Sequence, residues 1–97
     1  MTAPERPDLF VVARILERLW REREPMGKTK LQGAANMNYD VFTRYFEWLE
    51  TRGLVELVKA EGERDLVKIT RKGETGYRKL LEWIDEFVRG GPPGPRP

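Results

Sequence analysis

The sequence contains no cysteine and no histidine. Without cysteine there is no disulfide framework, no thiol nucleophile and no thiolate metal site. Without histidine the chain also lacks the commonest general base and metal ligand. The acidic residues alternate with Lys and Arg, which is typical of a solvated ion-pair surface rather than of a catalytic carboxylate pair. We therefore expect no catalytic residue, no metal and no cofactor.

Long hydrophobic runs are also missing. No apolar stretch approaches the roughly 18 residues that a membrane-spanning helix needs, and the N-terminus lacks the residue order of a signal peptide. We therefore expect a cytoplasmic protein without a membrane partner, and no feature indicates a small-molecule ligand. The 97 residues are 39% hydrophobic and 35% charged, which predicts one globular domain with a heavily charged surface.

The charges are unevenly distributed along the chain. Eighteen basic and 16 acidic side chains leave a net charge of +2, which is weak evidence for a polyanionic partner. Residues 25–37 carry two lysines and no carboxylate, whereas residues 38–52 carry two arginines against three carboxylates. The basic character is therefore confined to patches.

Apolar spacing predicts three helices in the first half of the chain. The first covers about residues 8–23, with Asp8 as its cap, and ends before Pro25 and Gly27. A short second helix is expected from a cap at Thr29 to residue 35, and a third helix follows up to residue 52. Between them, Asn36 suits a left-handed residue and Asn38 suits a second cap, which predicts a tight helix-turn-helix.

The second half has the pattern of a hairpin and a last helix. Residues 54–59 and 64–69 form two short β-branched runs, in which Val67 and Ile69 are expected to face the core. Thr70 is expected to cap a helix that extends to about residue 89. The predicted domain is thus residues 8–89, between a flexible arm (residues 1–7) and a disordered Pro/Gly tail (residues 90–97). The fold class is α+β, mainly helical: three helices, a hairpin wing and a C-terminal helix.

At this level of detail the segment 29–72 resembles a known family. The carrying residues are the run Ala34-Ala35-Asn36-Met37-Asn38-Tyr39, the pair Tyr45 and Leu49, the run Gly53-Leu54-Val55, and Ile69-Thr70 with Lys72-Gly73. In this order they resemble the winged helix-turn-helix family common among small archaeal transcriptional regulators and chromatin proteins. The resemblance implies a protein that binds double-stranded DNA, regulates transcription or associates with the nucleoid, and catalyses no reaction.

In a helix-turn-helix the start of the second motif helix enters the major groove and the preceding helix touches phosphates. The residues expected at bases are Asn38, Tyr39, Thr43 and Arg44, and those expected at the backbone are Lys28, Thr29 and Lys30, with Lys59 and Arg64 from the wing if they turn towards the DNA. Three of these have simpler alternatives: Asn38 as a cap only, Tyr39 as a core residue, and Arg44 as an ion-pair partner of Asp40 or Glu47.

The resemblance also implies a homodimer, because some relatives pair through a long C-terminal helix. An apolar stripe on residues 70–89 supports this expectation. Its members are Tyr77, Leu80, Leu81, Trp83, Ile84, Phe87 and Val88. The alternative is that the helix only covers its own domain. A second function remains open, a protein-protein interaction module without DNA binding, because the third helix is slightly acidic and the wing tip carries Glu61 and Glu63.

Overall fold

The computed structural model describes residues 6–89, and in them α1 (Leu9–Glu22) is the first element. It begins as predicted, because the Asp8 carboxylate accepts a hydrogen bond from the Phe10 amide at 2.9 Å. Its buried face consists of Val12, Ala13, Ile15, Leu16 and Leu19, whereas Leu9 is about half exposed. The predicted tail and the first five residues of the predicted arm lie outside the described residues.

A short extended segment that the sequence analysis missed follows α1. Arg23 adopts a left-handed conformation (φ 59°) and ends the helix. Met26 then pairs with Val67 in an antiparallel bridge, with N–H to O distances of 2.9 and 2.7 Å in the two directions. Met26 is buried, so this single residue fastens the end of α1 to the hairpin.

The helix-turn-helix consists of α2 (Lys28–Ala34) and α3 (Tyr39–Thr51). Asn36 is left-handed as predicted (φ 57°), and the Asn38 side chain accepts from the Val41 amide at 2.9 Å. The predicted cap of α2 is wrong: Gly27 occupies that position and Thr29 lies inside the helix. An extended Gly27 suffices there because a glycine N-cap costs only a few tenths of a kcal/mol relative to a side-chain cap.

The wing is an antiparallel hairpin of β1 (Val55–Lys59) and β2 (Asp65–Ile69), each one residue shorter than predicted. The register pairs Val55 with Ile69 and Lys59 with Asp65. Gly62 (φ 77°) and Glu63 (φ 65°) turn the chain between the strands. Val67 is fully buried and Ile69 half-buried, as the period of two predicted.

The last helix, α4 (Arg71–Ile84), begins at a closely packed joint with the wing. The Thr70 hydroxyl accepts from the Gly73 amide at 2.9 Å and donates to the Gly53 carbonyl at 2.6 Å. Gly73 is buried, and a Cβ built on it would lie 2.0 Å from the Leu54 carbonyl oxygen. The predicted helix boundary differs in one respect: regular α-helix ends at Ile84, and Asp85–Arg89 form a wider π-helical turn.

One hydrophobic core joins these elements, with α1 packed against α2, α4 and β2. The buried cluster comprises Val12, Ile15, Leu16, Leu19, Met26, Leu31, Ala35, Phe42, Phe46, Leu49, Val55, Val67 and Tyr77. Because Phe42, Phe46 and Leu49 turn this side of α3 inwards, its opposite side faces outwards along its whole length.

Candidate nucleic-acid interface

The outward side of α3 carries a line of exposed polar residues. Asp40, Arg44, Glu47 and Thr51 are all exposed and recur at spacings of four, three and four residues. Such residues lie within about 60° of one another around a helix axis. We call these four residues the outer line of α3.

Arg44 lies in the middle of the outer line without an ion pair. Ion pairs join Glu17 to Arg18 and Arg21 on α1, and Lys59 to Asp65 on the wing, whereas Arg44 has no ion pair within residues 6–89. The alternative that Arg44 pairs with Asp40 or Glu47 is therefore wrong, and its guanidinium group remains exposed.

The other three residues predicted at bases surround the first turn of α3. Tyr39 is 59% exposed, so the alternative role as a core residue is wrong. Thr43 donates its hydroxyl to the Tyr39 carbonyl at 2.9 Å. Asn38 is exposed and caps α3. The cap uses its side-chain oxygen as an acceptor and leaves its side-chain nitrogen free to donate.

The residues predicted to contact the DNA backbone from the motif lie at the start of α2. Lys28, Thr29 and Lys30 are all exposed. Lys28 also packs across the motif, because its Nζ lies 4.6 Å from the centre of the Phe46 ring on α3. The ammonium group is therefore at the surface while its position is tied to α3.

The two wing residues predicted to contact the DNA backbone, Lys59 and Arg64, differ in whether their charge is already paired. The Lys59 ammonium lies 2.9 Å from the Asp65 carboxylate in the cross-strand pair and 3.5 Å from the Glu63 carbonyl. Arg64 is exposed at the end of the turn. The wing tip is consequently acidic, since Glu61 and Glu63 outweigh the one cation there that has no ion pair within the described range.

Two hydrogen bonds that the sequence analysis missed fasten α1 to the motif. The Arg14 guanidinium donates to the Ala35 carbonyl, which ends α2, at 3.1 Å. The Asp8 amide donates to the Tyr45 hydroxyl at 2.9 Å, so α3 is held at the start of α1. No local pattern in the sequence indicates either bond, because both join residues more than 20 positions apart.

The predicted dimer stripe divides into two sets in the structure. Tyr77 and Ile84 are each 6% exposed and belong to the chain's own packing, while Leu80 and Leu81 are partly buried. Trp83, Phe87 and Val88 are more than half exposed, and the rings of Trp83 and Phe87 are in contact at 5.4 Å. Only this second set offers a partner substantial apolar surface.

Leu9 and Phe10 on α1 extend that exposed surface, although the sequence analysis did not assign them to it. An apolar groove of about 430 Å³ includes Leu9 and Trp83 among its lining residues, and a second groove of about 370 Å³ includes Phe10 and Val88. The start of α1 and the end of α4 therefore meet. We call Leu9, Phe10, Trp83, Phe87 and Val88 the apolar end.

Tyr77 on α4 has a shifted pKa. Burial is the main cause that raises its pKa above the ordinary value, and the Glu17 carboxylate raises it further. The positive charge of Arg21 lowers this pKa and so offsets part of the increase. A tyrosine with a raised pKa stays neutral at physiological pH, so this group adds no charge to the surface.

Residues 6–89 contain no cluster of three or more carboxylates that could hold a metal ion. No helix in the same range has the length and apolarity needed to cross a membrane.

Three helices, a hairpin fastened by Met26 and a closing helix constitute a winged helix architecture. The sequence profile described as Winged helix-turn-helix matches residues 5–88, so the chain belongs to the winged helix-turn-helix family. The resemblance stated from the sequence and the predicted fold class are thereby confirmed. No curated protein sequence matches the chain.

Several solved structures are similar to this chain. Sso10a-2, a DNA-binding protein from Sulfolobus solfataricus, is 28% identical with a TM-score of 0.60, over 75% of this chain and 77% of that one. The MarR family transcriptional regulator SPO1453 from Silicibacter pomeroyi is 26% identical with a TM-score of 0.62, over 74% of this chain and 51% of that one. The regulator BldR from Sulfolobus solfataricus shares the fold at 22% identity and a TM-score of 0.71, over 84% and 58%. This chain thus spans little more than half the length of these two regulators.

Proposed function

We propose that this chain binds double-stranded DNA as a homodimer and acts as a transcriptional regulator or chromatin-associated protein of the cytoplasm and nucleoid. The observation that carries the proposal is the exposed, unpaired Arg44 at the centre of the outer line of α3. A helix that turns its apolar side inwards and an unpaired guanidinium outwards is suited to enter a major groove.

The described contacts support a division of roles within the motif. Arg44 would read guanine O6 and N7, and Asn38 and Tyr39 are exposed near it at the start of α3. Lys28, Thr29 and Lys30 would contact phosphates, because a basic helix start adjoining the recognition helix positions the motif on the backbone. The two bonds from α1 would keep the motif rigid as it docks.

The wing contributes less in this proposal. Carboxylates near phosphates are repulsive, and the tip carries Glu61 and Glu63. The Lys59 ammonium is engaged by Asp65, so Arg64 is the wing residue left to contact the backbone. The strongest contacts are therefore expected from α2 and α3.

Dimerisation would cover the apolar end. Its five side chains are each about half exposed, and burying the remaining area is worth roughly 1 kcal/mol for each. The apolar end is formed by the start of α1 and the end of α4, whereas Arg44 lies on α3. Two copies would then read two half-sites, which raises affinity without new contacts in either copy.

A fluorescence anisotropy titration with mixed-sequence duplex DNA tests the proposal. We expect binding at micromolar protein in about 50 mM salt and a strong loss of affinity in about 200 mM salt, because released counterions drive association. Lys30→Gln should weaken binding to all sequences and reduce the salt slope by about 1. Lys72→Gln on α4, an exposed lysine with the same change of charge, is the matched control and should bind as the parent does.

Absence of binding to any duplex at about 50 mM salt would contradict the proposal, because even non-specific DNA-binding proteins associate there. That result would favour the protein interaction module. Equal effects of Lys30→Gln and Lys72→Gln would show that net charge matters and that the start of α2 does not contact DNA.

A further inference from the structure

Two carboxylates accompany Arg44 on the most outward line of α3. Asp40 precedes it by one turn and Glu47 follows it by nearly one turn, and both are exposed. Neither is within ion-pair distance of a cation in residues 6–89. A helix that enters the major groove would therefore bring two uncompensated negative charges towards the DNA.

Such charges oppose binding to DNA in general. Two like charges about 6 Å apart in water repel each other enough to weaken association about threefold. The outer line could have carried neutral residues without any loss of packing, because Asp40 and Glu47 lie opposite the buried Phe42, Phe46 and Leu49. Their presence beside an unpaired arginine calls for a partner that offers hydrogen-bond donors in the groove.

Base edges of that kind exist in the major groove. The N4 amino group of cytosine donates to a carboxylate, and on the side away from guanine O6 the cytosine edge presents only its C5–H. Adenine also offers an amino group, but its N7 lone pair would face the second carboxylate oxygen. Arg44 in turn prefers guanine, whose O6 and N7 are both acceptors. A negative, positive, negative line is thus complementary to G·C pairs.

We propose that Asp40 and Glu47 are specificity determinants that accept hydrogen bonds from cytosine amino groups, direct Arg44 to G·C pairs and weaken binding to other duplexes. The inference rests on the proposed function, because it requires α3 to enter the groove. It adds the chemical class of the target: a duplex that presents cytosine amino groups on both sides of the guanine contacted by Arg44.

Selection from a pool of random duplexes, followed by titration of the selected and the random DNA, tests the inference. The full chain should select duplexes with G·C pairs at the positions that α3 contacts. Glu47→Gln removes one negative charge while keeping the shape of the side chain. It should bind random duplex about threefold more tightly at low salt and lose about tenfold discrimination at one position.

Glu22→Gln, at the exposed end of α1, provides the matched control because it changes net charge equally and lies outside α3. It should leave discrimination unchanged. Asp40→Asn should relax a second position. Asp40 lies in the first turn of α3, where a carboxylate stabilises the helix. The melting curve of the Asp40→Asn variant is therefore measured together with its DNA binding. If Asp40→Asn unfolds, Glu47→Gln carries the test alone.

The outcomes separate the inference from the function it rests on. If the parent binds duplex DNA but Glu47→Gln discriminates as Glu22→Gln does, the inference is overturned and DNA binding stands. Selection of A·T pairs by the parent overturns the inference in the same way. If the parent selects no duplex at low salt, the proposed function itself fails.

Discussion

The two exposed regions of this domain have opposite chemistry. The start of α2 and the outer line of α3 present ammonium, guanidinium and carboxylate groups, whereas the apolar end presents Leu9, Phe10, Trp83, Phe87 and Val88. Of the six large apolar side chains exposed within residues 6–89, five belong to the apolar end and only Tyr39 lies on the motif. A charged surface is well hydrated and binds a polyanion with release of counterions. An apolar surface, in contrast, is stabilised by any partner that removes it from water.

The joint between the wing and α4 connects these two regions, and it should be the most sensitive point. In Gly73→Ala the new Cβ would lie 2.0 Å from the Leu54 carbonyl oxygen and 2.8 Å from Ile69 Cγ1, so backbone must move. We expect a loss of about 3 kcal/mol or more in the free energy of unfolding, measured by urea denaturation.

Gly76→Ala, one turn further along α4, is the matched control. A Cβ there would lie 3.7 Å from Leu54 Cδ2, which is ordinary contact. Because alanine favours a helix interior over glycine, this variant should gain about 0.5 to 1 kcal/mol. Equal stability of the two variants would show that the close approach at Gly73 does not constrain the fold.

Phe87→Glu tests whether the apolar end is a dimer interface. Phe87 is 62% exposed, so the charge should leave the fold of one copy intact while placing a carboxylate in the interface. We expect light scattering to report a monomer for this variant and a dimer for the parent.

Ile84→Glu separates the interface from the core on the same helix. Ile84 is buried within the chain, so this substitution should lower the melting temperature as well as any dimer content. A parent protein that scatters as a monomer of about 11.4 kDa at high concentration would contradict the proposed homodimer.

The smallest expected effect concerns the two roles of Asn38. Asn38→Ala should cost about 1 kcal/mol of stability, because the Val41 amide loses its acceptor. Asn38→Ser keeps a capping oxygen, so its melting temperature should match the parent. If Asn38 also contacts a base, the serine variant should bind DNA more weakly at unchanged stability, as an anisotropy titration would report. Equal affinity would leave Asn38 as a cap only.

Local signals predicted most of the elements. Asp8, Asn38 and Thr70 act as caps where the sequence placed them, and Asn36 has the expected left-handed conformation. These predictions succeeded because a cap bonds to an amide two or three residues away. The prediction of Thr29 as a cap failed because α2 begins two residues earlier, with Gly27 as its N-cap. Sequence patterns do not locate the start of a helix to within two residues.

Long-range contacts could not be predicted in the same way. Nothing around Met26 indicates a strand, because one residue has no period and its bridge depends on where Val67 lies. The same holds for the Arg14 bond to Ala35 and for the contact of Lys28 with the Phe46 ring. Their partners are chosen by the packing of α1 and α2 against the rest of the core.

By itself, the sequence determined the order of the elements, the side of each helix that is apolar, and the absence of thiol and imidazole chemistry, since all of these depend on composition and spacing along the chain. Only the tertiary structure decided how the stripe on the last helix is divided. Tyr77 and Ile84 are buried in the chain's own core while Trp83, Phe87 and Val88 remain exposed beside Leu9 and Phe10. Helical periodicity defines a direction around one helix, but the start of α1, which covers part of that side of α4, is more than 70 positions away in the sequence.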